Sequence, residues 1–108
     1  MFVELDAFSG RPNPRWQLDP KDTEELLRLQ DRLELSVGPP VEPPGLGYRG
    51  FVYWDPGGTY RAYQGRVITP KSVLADPSYT VERFLLARVP EEFAPLRQRI
   101  ATELGRDR

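Results

Sequence analysis

Twelve of the 108 residues are proline, and their placement constrains this chain more than any other feature. Proline lacks a backbone N–H and fixes φ near −65°, so helix interiors and central strands exclude it. Regular elements must therefore fit between Pro14, Pro20, the pairs Pro39-Pro40 and Pro43-Pro44, Pro56, Pro70, Pro77, Pro90 and Pro95, or begin on one of them. Between these corners the apolar residues recur in periodic blocks, which speaks for a folded core rather than a proline-rich disordered chain.

The blocks read in order. Phe2 to Phe8 alternates, with Val3, Leu5 and Ala7 on one face and Glu4 and Asp6 on the other, as a strand does. Arg15 to Leu18 is a short strand or extended return. Asp19-Pro20 is a cap followed by a first-turn proline, opening a helix predicted over 20–34 with Leu26, Leu29 and Leu33 inward. Residues 36–47 are a Pro/Gly-rich internal connector of polyproline type. An antiparallel meander is predicted over 48–69, with turns at Asp55-Pro56-Gly57-Gly58 and Gln64-Gly65. Asp76-Pro77 repeats the helix-start signal, for a helix over 77–88 with Val81, Phe84 and Leu85 inward; Pro95 opens a last one over 95–104 with Leu96 and Ile100 buried. The expected fold is α+β in one domain: a small antiparallel sheet packed by two to three helices on one face, with Val52 also buried.

Composition narrows the chemistry. The chain has no cysteine and no histidine, so disulfides, thiolate metal sites and the commonest general base are excluded. No apolar run approaches the ~20 residues of a membrane span, and the first residues lack a signal-peptide pattern, so the expected compartment is the cytoplasm. Net charge is −1, but residues 43–71 carry four basic and one acidic side chain. Phosphate-loop and dinucleotide motifs are absent, and no cofactor is expected.

Two stretches stand out. In Ser9-Gly10-Arg11-Pro12-Asn13-Pro14, followed by Trp16, the prolines hold Arg11 and Asn13 extended and leave little entropy to lose on binding. Ser9, Arg11 and Asn13 offer a hydroxyl, a guanidinium fork and an amide, a set suited to carboxylate or phosphate. The structural alternative has Asn13 closing an Asx-type turn, Ser9 bonding backbone and Arg11 paired with Asp6 or Glu4. In the second stretch, Gly47 and Gly50 flank Tyr48 and Arg49, and glycine in a strand marks a bulge or a close backbone approach. Arg49 and Arg61 on neighbouring strands make a positive patch facing the first loop, or pair with acidic side chains.

Phe8 to Trp16 and Gly47 to Phe51 resemble segments of small uncharacterised bacterial proteins that carry Phe-Ser-Gly-Arg-Pro-Asn-Pro-x-Trp near the N-terminus and Gly-Tyr-Arg-Gly-Phe mid-chain. The resemblance implies no activity. The residues themselves point to a non-catalytic binding or accessory domain that recognises a protein partner or small anionic ligand through Ser9, Arg11, Asn13, Trp16, Tyr48 and Arg49. One alternative is single-stranded nucleic-acid binding on the aromatic and arginine strands of 48–63. The other is a metal-assisted or hydrolytic enzyme using Glu4 and Asp6, which share a strand face.

Overall fold

The computed structural model describes residues 1–7, 12–38 and 47–106. Helix α1, Pro20–Asp31, starts where the sequence asks: the Asp19 carboxylate accepts the Asp22 N–H at 2.7 Å, and proline occupies the first turn. It stops three residues short of the expected end. Leu33, the last member of its apolar stripe, has already left the helix, and Glu34–Leu35 form a short strand instead.

Strands β1 (Phe2–Leu5), β2 (Arg15–Gln17), β3 (Glu34–Leu35), β4 (Phe51–Asp55), β5 (Gly58–Tyr63), β6 (Arg66–Ile68) and β7 (Val73–Ala75) make one antiparallel sheet in the order β2-β1-β4-β5-β6-β7-β3. The expected meander is its β4-β5-β6 centre. Thr69 and Ser72 tighten the turn that sends β7 back along β6, and β7 in turn captures β3. Helices α2 (Thr80–Leu86) and α3 (Ala94–Arg106) follow. Asp76 is not the N-cap that the sequence suggested, a position held by Tyr79, but its carboxylate accepts the N–H groups of Thr80 and Val81 at 2.9 and 2.8 Å. It does so across an intervening turn with Tyr79 in the left-handed region, so the helix begins three residues after Pro77.

Strand register sorts the sheet into two faces. One presents Val3, Leu5, Phe51, Tyr53, Ala62 and Val67, and against it pack Leu26 of α1, Val81, Leu85 and Leu86 of α2, and Leu96, Ile100 and Leu104 of α3. Leu29, Leu33 and Phe84 pack at its margin, partly buried. The result is the α+β arrangement with helices on one face that the alternation of β1 and the helical stripes implied. The other face carries Phe2, Glu4, Asp6, Arg15, Val52, Trp54 and Arg61, and there Val52 is buried among charged neighbours. No helix of the described residues is long and apolar enough to cross a membrane.

Two core-side phenols tie the layers together. Tyr53 donates to Gln30 Oε1 at 2.7 Å and Tyr48 to Glu82 Oε2 at 2.6 Å. Burial, reinforced for Tyr48 by the Glu82 carboxylate and for Tyr53 by Tyr60, Asp76 and Asp55, pushes both hydroxyls above the ordinary phenol value near 10. Below that pH both folded and unfolded chains keep these protons. Above it the unfolded chain releases them first, so stability falls as pH rises beyond 10, by about 1.4 kcal/mol per pH unit per tyrosine. Phenolate absorbance should therefore show Tyr48 and Tyr53 resisting titration until a cooperative alkaline unfolding step. Smooth ionisation of both near the ordinary value would contradict this packing.

Candidate anion-binding site

The second sheet face gathers its charges at one end, where β2, β1 and β4 meet. Glu4 and Asp6 lie two residues apart on β1 and its extension, and therefore on the same face. Backbone hydrogen bonds fix the extension: the Asp6 N–H donates to Gly50 O at 3.0 Å, and the Arg49 N–H donates to Asp6 O at 2.7 Å. The Leu5 N–H bonds Pro14 O at 2.9 Å, setting the approach to β2 beside β1.

Asn13 bonds back onto β1 and its extension. Its side-chain oxygen accepts the Ala7 N–H at 3.1 Å, while its amide donates to Glu4 Oε2 at 3.0 Å and approaches Asp6 Oδ1 at 3.4 Å. These contacts reach back six to nine residues along the chain, unlike the local Asx-type turn of the structural alternative. Ser9 and Arg11, the other two members of the expected loop site, lie outside the described residues, as do residues 39–46 of the connector.

Three arginines surround the two carboxylates. Arg61 Nη1 donates to Asp6 Oδ2 at 2.9 Å and to Arg49 O at 2.6 Å. Arg49 Nε stands 3.5 Å from the same Asp6 oxygen, an ionic contact too long for a strong hydrogen bond. Arg15 Nε lies 3.2 Å from Glu4 Oε1, and its guanidinium carbon sits 5.3 Å from the Trp54 ring centroid. The cluster thus carries three positive and two negative charges. Its members differ in commitment. Asp6 is 12 % exposed in its side chain and Arg61 25 %, whereas Arg49 is 38 % and Arg15 60 % exposed. Among the described residues the Arg49 guanidinium donates no hydrogen bond. Arg49 and Arg61 do come together on neighbouring segments, and both pair with Asp6, as the acidic alternative had it.

Tyr48 and Arg49 part company. Consecutive residues of an extended segment point to opposite sides. Arg49 turns to Asp6, while Tyr48 turns to the helices, packs against Phe51 and Tyr63, and lines a cavity of about 370 Å³ with Ala7, Leu96, Arg99, Ile100 and Glu103. Trp16 likewise sits on the core side, pairing with Val3 and meeting Phe51 edge to face at 6.4 Å. Of the expected site residues, then, Asn13 and Arg49 converge on Asp6, and Tyr48 and Trp16 belong to the other face.

Sequence reading missed Glu82, which is 1 % exposed on α2 and accepts from Tyr48 and from the Gly65 N–H at 2.9 Å. The signal was present: Glu82, Leu85, Leu86 and Val89 follow i, i+3, i+4, i+7 spacing, which puts the glutamate on the inward stripe. It missed Arg15 as well, whose place beside Glu4 follows only from the β1–β2 register. Among the described residues no group of acidic side chains is arranged to hold a metal ion. Compared with protein-family models, curated proteins and solved structures, the chain matches none.

Proposed function

We propose that this chain is a non-catalytic binding domain that holds an anionic group, foremost a carboxylate of a protein partner, at Arg49 and its neighbours. One observation carries the reading: Arg49 is fixed through its backbone on both sides, yet its partly exposed guanidinium is held to Asp6 only by a long 3.5 Å ionic contact, in a cluster with one positive charge in excess. A held guanidinium loses little entropy when a carboxylate or phosphate engages two of its N–H groups at once. Phe2 and Trp54, the latter under the Arg15 guanidinium, lie on the same face about 13 Å along the strands from Arg49, within the footprint of a protein partner, and offer the apolar contact that interface anchors need. A protein partner is favoured over a free small molecule because 108 residues leave little depth for a pocket once the core is filled.

The nucleic-acid alternative draws less support, since Phe51 and Tyr53 are fully buried and not available as base platforms. The enzyme alternative has its carboxylates already bonded to arginines and Asn13.

Titration of the chain at low salt with inorganic phosphate and with an Asp/Glu-rich peptide should perturb the Arg49 and Arg15 side-chain NMR signals, with the peptide binding tighter. Arg49→Ala should weaken that binding at least tenfold while moving stability by no more than about 0.5 kcal/mol, because the side chain is partly exposed and donates no hydrogen bond. Absence of perturbation by either probe at millimolar concentration would sink the proposal.

A further inference from the structure

Beyond the reading above, and at the opposite end of the sheet, the β3 edge has the features of a self-association surface. Among the described residues three large apolar side chains are exposed, and two of them, Leu35 at 67 % and the wholly exposed Val37, lie two residues apart on this edge. β3 is the last strand in the sheet order. The Ser36 N–H bonds inward to Val73 O at 2.8 Å, and peptide groups alternate in direction along an antiparallel strand. The N–H and C=O groups of Leu35 and Val37 therefore point away from β7. The far edge, β2, is guarded by the exposed polar side chains of Arg15 and Gln17 and by Pro14 before them, as edges that must not pair usually are. At the β3 edge the outward-bonding residues Leu35 and Val37 are apolar, although the strand is two residues long, begins at Glu34 and is followed in the sequence by Pro39-Pro40.

Register also makes Leu35 the end of an unfinished row. Leu5, Phe51, Ala62, Val67, Leu74 and Leu35 face one another in turn across the sheet, and the row is buried through Val67 before it opens at the edge.

We infer that the occupant of this edge is a second copy of the chain, paired antiparallel about a two-fold axis at Ser36. That register sets Leu35 opposite Val37 of the copy, with their outward peptide groups exchanging hydrogen bonds, and continues the apolar row. It also places Glu34 across from Gly38 of the copy. Gly38 has no side chain, and a Cβ there would lie 3.0 Å from Arg66 Nη2, so the incoming carboxylate meets a guanidinium. Arg66 has no acidic partner among the described residues and makes one long contact, 3.4 Å, to Ser36 Oγ. The charge match occurs twice by symmetry, and it argues for a copy over an unrelated strand.

The contact is small, so the dimer is weak. Sedimentation equilibrium from about 10 μM to 1 mM should show the average mass climbing toward twice the monomer's. Val37→Lys, at a wholly exposed position, should hold the chain monomeric with unchanged circular dichroism. Glu34→Arg and Arg66→Glu should each weaken association about fivefold, and the two together should restore it, because each dimer then regains both pairs with charges exchanged. A monomer throughout, a dimer indifferent to Val37→Lys, or charge reversals that do not compensate would each overturn the inference.

Discussion

Gly50→Ala should lower the melting temperature by roughly 20 °C, the largest effect expected of a methyl at any described glycine. Gly50 is buried with φ at +100°, where a side-chain-bearing residue is strained. Space adds to the strain. A Cβ there would come within 2.5 Å of Ala62 O and 2.9 Å of Tyr63 Cβ, both on the adjoining β5 strand. Neither neighbour can withdraw without breaking the β4–β5 pairing that centres the sheet. Strain and overpacking contribute about 1–3 kcal/mol each, which together approach 4 kcal/mol. Gly47→Ala separates the two contributions. Its φ is +84°, but nothing lies within 4 Å of the added carbon, so it should lose only about 1–2 kcal/mol. Equal losses at both glycines, read by thermal melts, would mean that the close approach to β5 does not govern folding.

That glycine was legible from its position in Gly47-Tyr48-Arg49-Gly50, where glycine ahead of an aromatic strand signals backbone proximity. Much of the rest was legible for similarly local reasons. The alternation of β1, the Asp19-Pro20 start, and the turns at Pro56-Gly57 and Gln64-Gly65 all act within a few residues. What escaped depends on distant partners. β3 and β7 are two and three residues long, and each exists because of the other: Glu34 pairs with Ala75 and Leu35 with Leu74, some forty positions away. Without β7, Leu33 reads as the next turn of α1. The candidate site divides in the same way. That Glu4 and Asp6 share a face, and that arginines from the meander can face them, follows from period two. That Asp6 gathers Arg49 and Arg61 while Tyr48 leaves for Glu82 requires the β1–β4 register, which no single segment encodes.

Asp6 is where stability and the proposed binding oppose each other, and the second large effect is expected there. Its carboxylate receives Arg61 at 2.9 Å, faces Arg49 at 3.5 Å and lies near the Asn13 amide. Removing one member of a buried ion pair leaves the other's charge poorly solvated, a loss of 3–5 kcal/mol in dry sites. Here Arg61 is 25 % exposed and Arg49 38 %, so water recovers part of that. Asp6→Ala should therefore cost about 2–3 kcal/mol and lower the melting temperature by roughly 10–20 °C. Asp6→Asn, which keeps an acceptor for Arg61, should cost less. The backbone bonds of residue 6 to Arg49 and Gly50 do not use the carboxylate, so both guanidinium groups stay in place with their counter-charge gone. If the arginines exist to engage an anion, Asp6 competes with it, and the same substitution that weakens the fold should tighten phosphate or acidic-peptide binding severalfold. Melting curves and a titration on the two variants measure both quantities. A loss of stability with no gain in anion affinity would assign the cluster to the fold alone.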